Sequence, residues 1–235
     1  MTRRPVDLPP QANPGGGPRV ANRLAGFRAA ALLAVLIAPA AAPLTAAIPV
    51  ASAACPGAEV VFARGREEPP GVGFVGGAFV NSLRSKVHVP VGEYGVNYPA
   101  DIDPAKGAND MSAHVQSMAK SCPNTREVLG GYSLGAVAAD LVIAETKPGF
   151  GFSNPLPPGA DQHVAAVALF GNGTRRILGP VPDFSPAFAG KTIEECASGD
   201  PICSGGDAQW SSHLQPAYIN SGLVDQAAGF AAARI

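Results

Sequence analysis

Glu127-Val128-Leu129-Gly130-Gly131-Tyr132-Ser133-Leu134-Gly135-Ala136-Val137-Ala138-Ala139 is an apolar run that halts at G-x-S-x-G and continues into small helix formers. A serine used as a nucleophile must project from a sharp strand-to-helix turn. That turn crowds its backbone against its neighbours, and glycines two positions either side allow the approach. The same turn puts the hydroxyl at a helix N-terminus, where free N–H groups favour developing negative charge. With 28 glycines in the chain, G-x-S-x-G alone is a weak signal. The strand before it and the helix after it make the motif specific. Ser133 is therefore the candidate nucleophile.

Outward from this turn, strand and helix alternate. Glu59–Ala63 reads as a buried strand ending at Arg64-Gly65, and Gly76–Val87 carries apolar residues at helical spacing. Tyr94–Tyr98 reads as a second strand, stopped by Pro99, and Lys106–Lys120 as a helix with Met111, Val115 and Met118 on one face. Glu127–Gly130 and the wholly apolar Val164–Phe170 supply two more strands, with a helix over Leu134–Glu145 between them. Continuous apolar strands suit a parallel sheet buried on both faces. The Gly- and Pro-rich stretch from Gly171 to Ser212 reads as loops, and a last helix runs from about Leu223 to Ala233. The expected fold is a single three-layer α/β domain with a mostly parallel central sheet.

Residues 1–53 differ in character from the rest. They hold Arg3, Arg4, Arg19, Arg23 and Arg28 against one acid, Asp7, and an apolar run, Ala29–Ala38, of signal-peptide length. Pro39, Pro43 and Pro49 break its continuation, which argues against a membrane-spanning helix. Ala51-Ser52-Ala53 is a small-residue cleavage site, so residues 1–53 read as a basic lead and signal peptide and 54–235 as an exported, secreted domain. That domain keeps 12 of the 17 basic and 17 of the 18 acidic residues, a formal net charge of −5. Such a balance leaves no electrostatic footprint for nucleic acid. Cys55, Cys122, Cys196 and Cys203 all follow the cleavage site. An even count in an exported chain implies two disulfides, with three pairings open. Cys196 and Cys203 are close enough to close a short loop, which leaves Cys55 with Cys122. Neither C-x2-C spacing nor clustered histidine is present to suggest a metal.

A serine nucleophile needs a base, commonly a histidine held by a carboxylate. Of four histidines, His88 and His114 precede the nucleophile and His163 opens a strand. His213 follows in a loop-rich region and gives the chain order Ser…Asp…His of α/β-hydrolases. Asp200, inside the loop that a Cys196–Cys203 bridge would close, is better constrained than its rival Asp207. Val181, Phe184, Phe188, Leu214 and Tyr218 flank these loops and are candidates for an acyl-binding groove.

Together, Ala63-Arg64-Gly65, Gly130-Gly131-Tyr132-Ser133, the Cys196…Asp200…Cys203 loop and His213 resemble the cutinase family, especially cutinase-like proteins exported by mycobacteria and other actinobacteria. The resemblance spans Cys55 to the C-terminus, and the pairing of Cys55 with Cys122 fits the family arrangement. It implies a compact hydrolase without a large lid, monomeric and in transient contact with lipid surfaces. Such an enzyme cleaves fatty-acyl or lipid carboxylic esters through an acyl-serine, with neither cofactor nor metal. An oxyanion hole would come from the backbone N–H groups of Arg66 and Leu134. Two positions depart from the family: Leu134 where Gln is usual, and Arg66 where a Ser or Thr hydroxyl commonly assists the oxyanion. The expectation is an active but slow esterase. The rival readings are a non-catalytic envelope protein that binds lipid or polysaccharide, and a polysaccharide deacetylase.

Overall fold

The computed structural model describes residues 55–235. The expected signal segment and its cleavage site lie outside them. Five strands form one sheet: β1 (Ala58–Ala63), β2 (Val91–Gly95), β3 (Arg126–Tyr132), β4 (Val164–Phe170) and β5 (Thr192–Glu195). Their spatial order is β2-β1-β3-β4-β5 and every pairing is parallel. Parallel neighbours need crossover connections, and helices supply them on both faces. On one face α2 (Pro104–Ser121) and α3 (Leu134–Ala144) cover Val61, Leu129, Val167 and Leu169. On the other, α1 (Gly73–Arg84) and α7 (Leu223–Ala232) cover Val60, Val128, Ala166 and a cluster of Phe62, Phe79 and Phe170. All seven residues of β4 are buried, as its unbroken apolar run requires. This is the three-layer α/β-hydrolase architecture expected from the sequence.

Three elements differ from their sequence reading. The helix expected over Gly76–Val87 begins at Gly73, because Glu68 reaches along the chain and its carboxylate accepts the Phe74 N–H at 2.9 Å. It ends at Arg84, where Ser85 and Lys86 turn back onto Asn81 and Leu83. The second strand lies at Val91–Gly95 instead of Tyr94–Tyr98. Its expected second half leaves the edge of the sheet: Asn97 donates to the Asp110 carboxylate, and the Val96 and Tyr98 carbonyls accept from the buried Arg64 guanidinium. The stretch from Gly171 to Ser212 is not all loop. It contains β5 and two single-turn helices, α4 (Arg175–Leu178) and α5 (Val181–Phe184). A four-residue edge strand reading Thr-Ile-Glu-Glu has one apolar side chain and thus no run to detect.

Both disulfides join the residues the sequence pointed to, Cys55 with Cys122 and Cys196 with Cys203. Two carboxyl groups lie in the core with no hydrogen-bond partner for either oxygen among the described residues, Glu127 on β3 and Asp140 on α3. Burial, reinforced by the neighbouring Glu59, pushes Glu127 up to about 8. Burial likewise pushes Asp140 up to about 7, against the lowering influence of Asn172 and Thr174.

Candidate active site

Ser133 sits between β3 and α3 with φ 54 and ψ −116, a left-handed conformation that a side-chain-bearing residue rarely adopts. The surrounding glycines make this turn possible. A Cβ at Gly135 would stand 1.9 Å from the Ala63 carbonyl oxygen, and one at Gly131 would stand 2.2 Å from that of Gly135. Both neighbours are backbone atoms, which cannot swing aside. Ser133 keeps part of its surface open to solvent, so no described segment seals it off.

Three side chains distant in sequence form one hydrogen-bonded line. His213 Nε2 lies 2.8 Å from Ser133 Oγ, and His213 Nδ1 lies 2.7 Å from Asp200 Oδ2. Asp200 is fully buried and His213 nearly so. The stapled loop holds the carboxylate: Oδ1 accepts from the backbone N–H groups of Ile202 at 2.7 Å and Cys203 at 3.3 Å. With its acceptors so filled, Asp200 fixes the imidazole with the proton on Nδ1, leaving Nε2 to accept from the serine. Asp207, the rival carboxylate, is exposed beyond the loop.

Arg66 lies opposite, in a segment that buried groups brace. Glu68 accepts from Gly65 N–H at 2.6 Å, and Arg64 donates through Nε to the Glu68 carbonyl at 2.8 Å. Among the described residues, neither the Arg66 N–H nor the Leu134 N–H has an acceptor. Both remain available to a ligand. The Arg66 side chain turns outward, 59% exposed, and pairs at 3.3 Å with the exposed Glu67, an arrangement worth little in water.

A cleft of about 500 Å³ opens over Ser133 and His213, with Arg66, Phe74, Trp210 and Leu214 among its walls. Of the five groove candidates, only Leu214 lines it. Val181 and Phe188 are buried and Phe184 is packed against the α2–α3 face of the core, while Tyr218 is wholly buried beneath Asp200. Phe74 and Trp210 are wall residues that the sequence does not mark. They are 58% and 61% exposed, and nothing in their neighbours' composition distinguishes an uncovered aromatic from a covered one. Two tyrosines also belong to the site. The Tyr132 hydroxyl donates to the His213 backbone carbonyl, and the Tyr218 hydroxyl donates to Asp200 Oδ2. A buried phenol needs an acceptor, so a tyrosine inside G-x-S-x-G and another five residues past His213 are the signals by which the sequence could reveal them.

Residues 54–235 match the family model for Cutinase. The protein named "Probable carboxylesterase Culp2" of Mycobacterium tuberculosis is 59% identical over 194 residues, covering 80% of this chain and 84% of that protein. "Phospholipase Culp4" of the same species is 53% identical over 215 residues, covering 90% and 89%. Among solved structures, a Trichoderma reesei cutinase bound to a phosphonate inhibitor superposes with a TM-score of 0.59 at 34% identity, over 75% of each chain. The catalytic core of the acetyl xylan esterase from the same fungus gives 0.63 at 26% identity, over 77% of this chain and all of that one. A match along the whole described domain, with close relatives that cover most of their own length, makes this chain a member of the cutinase family.

Proposed function

We propose that this carboxylic ester hydrolase is a secreted serine esterase acting on fatty-acyl or lipid esters through an acyl-enzyme on Ser133. The unbroken line from Ser133 Oγ through His213 to Asp200, at 2.8 and 2.7 Å, supports the reading. His213 Nε2 takes the serine proton as Oγ attacks the ester carbonyl, and the resulting imidazolium is stabilised by Asp200. The oxyanion is received by the unoccupied N–H groups of Leu134 and Arg66. His213 returns the proton to the leaving alcohol. Water then attacks the acyl-serine by the same route reversed, releasing the acid and restoring Ser133. A fluorophosphonate probe tests this directly. The protein is expected to be labelled and the Ser133→Ala variant neither labelled nor active on p-nitrophenyl esters. An unlabelled but active protein would end the serine reading.

Both departures from the family are compatible with catalysis, because the proposed oxyanion donors are backbone groups. What Arg66 removes is an auxiliary hydroxyl, which elsewhere is worth on the order of 10²–10³ in rate. Arg66→Thr is expected to raise kcat by about tenfold or more at unchanged pH. No gain would separate the expectation of a slow enzyme from that missing donor.

Phe74, Trp210 and Leu214 place apolar surface on the rim, which supports long acyl chains and contact with a lipid surface. Replacing Phe74 and Trp210 by serine is expected to reduce hydrolysis of emulsified palmitoyl esters by about tenfold or more. Acetyl esters should suffer less, and equal losses on both would favour the polysaccharide deacetylase alternative. Secretion is supported by the two disulfides, which form and persist in oxidising compartments.

A further inference from the structure

We infer that Tyr218 is a positioning residue that sets the strength of the His213–Asp200 pair. The inference rests on the serine-esterase reading above and adds a fourth member to it. Tyr218 belongs to α6 (Gln215–Ile219), immediately after the histidine, and is wholly buried. Its hydroxyl donates to Asp200 Oδ2, the same oxygen that accepts from His213 Nδ1. Nothing about that contact is loose. The ring packs edge-on against Tyr132 and Phe170, with centroids 5.5 and 6.3 Å away, and the hydroxyl also touches Cys203 Sγ at 3.4 Å.

The chemistry of a shared acceptor gives the sign. A carboxylate oxygen that accepts a phenol proton has less electron density to offer an imidazolium. Tyr218 therefore moderates Asp200: it holds the carboxylate in place while limiting how strongly His213 is drawn to its protonated form. Burial and the adjacent Asp200 both raise the Tyr218 phenol, so it keeps its proton and remains a donor across the working range. The other ionisable groups facing the pair are Tyr132, whose hydroxyl is committed to the His213 carbonyl, and Glu68, held across the cleft by backbone N–H groups.

Tyr218→Phe retains the ring and deletes the donor. Its kcat is expected to fall about tenfold, as a charge-assisted bond is lost. More diagnostically, the acidic limb of its kcat/KM profile is expected to move to higher pH by roughly half a unit to one unit, because Asp200 turns wholly to His213. Should the Tyr218→Phe variant fail to fold, site-specific 3-fluorotyrosine at position 218, a stronger donor of nearly the same shape, is expected to move the limb the other way. A fall in kcat with an unmoved acidic limb would assign Tyr218 to packing and overturn the inference, as would a fluorotyrosine shift of the opposite sign. Failure of the underlying reading looks different: the parent protein itself would escape fluorophosphonate labelling.

Discussion

Alanine at His213 is expected to lower kcat/KM on p-nitrophenyl butyrate by about 10⁴–10⁶, with the fold and the melting temperature nearly retained. Among the described residues the imidazole is the one group hydrogen-bonded to both Ser133 and Asp200, so its removal takes away the proton acceptor that the hydroxyl has there. The residual rate would come from the N–H groups at Arg66 and Leu134 and from the cleft. Groups that act as a unit are strongly non-additive, so the Ser133→Ala/His213→Ala double variant should be little worse than either single one. Independent multiplication of the two losses would mean that the two side chains do not share one proton transfer. Asp200→Asn should fall between these and the parent protein. It keeps the loop contacts of one oxygen but no longer stabilises the charged imidazole.

The second large effect concerns stability and pH. Glu127 is raised from 4.5 to about 8 and Asp140 from 3.8 to about 7, in both cases chiefly by burial. For a carboxyl raised on folding, the native state binds more protons than the unfolded chain between the two pKa values. The stability contributed by these two carboxyls is therefore fully present below about 4 and is lost as pH rises through about 7–8. Two such groups together amount to several kcal/mol, at most about 9, over that span. Asp101 and Asp225 are shifted the opposite way but are fully exposed, where solvent screening gives them little weight. The melting temperature is accordingly expected to decline from pH 5 to pH 8, by about 10 °C or more for a domain of this size. Glu127→Gln, neutral at every pH and of the same shape, should flatten much of that decline and be the more stable protein at pH 8. Thermal melts across this range decide it: a parent protein equally stable at both ends would remove Glu127 and Asp140 as titrating groups.

What can be read from the sequence depends on how local its cause is. β4 is legible to the residue, because seven consecutive apolar side chains admit one environment. The turn at Ser133 is legible because crowded backbone demands glycine at 131 and 135. Asp200 stands out through its two flanking cysteines. Elements whose causes are remote are misplaced: α1 starts where the Glu68 carboxylate caps it, and β2 ends where Asp110 and Arg64 draw the chain off the sheet. The groove is the poorest reading, since alternation and composition report whether a residue is apolar, not whether its neighbours leave it uncovered. Phe188 and Phe74 are the same residue type, yet one is 5% and the other 58% exposed.

The tightness at Gly131 and Gly135 also divides the molecule into a part that evolution can vary and a part that it cannot. With main-chain carbonyls within about 2 Å of any added methyl group, the turn at Ser133 admits no drift, whereas Phe74, Trp210 and Leu214 stand exposed on the rim, Trp210 with its ring 5.1 Å from the His213 imidazole. Random libraries should behave accordingly. One built at 74, 210 and 214 is expected to yield many folded members with altered acyl preference, and one built at 131 and 135 almost none. New substrates would thus be acquired by changing the rim around an inherited and unchanging reaction.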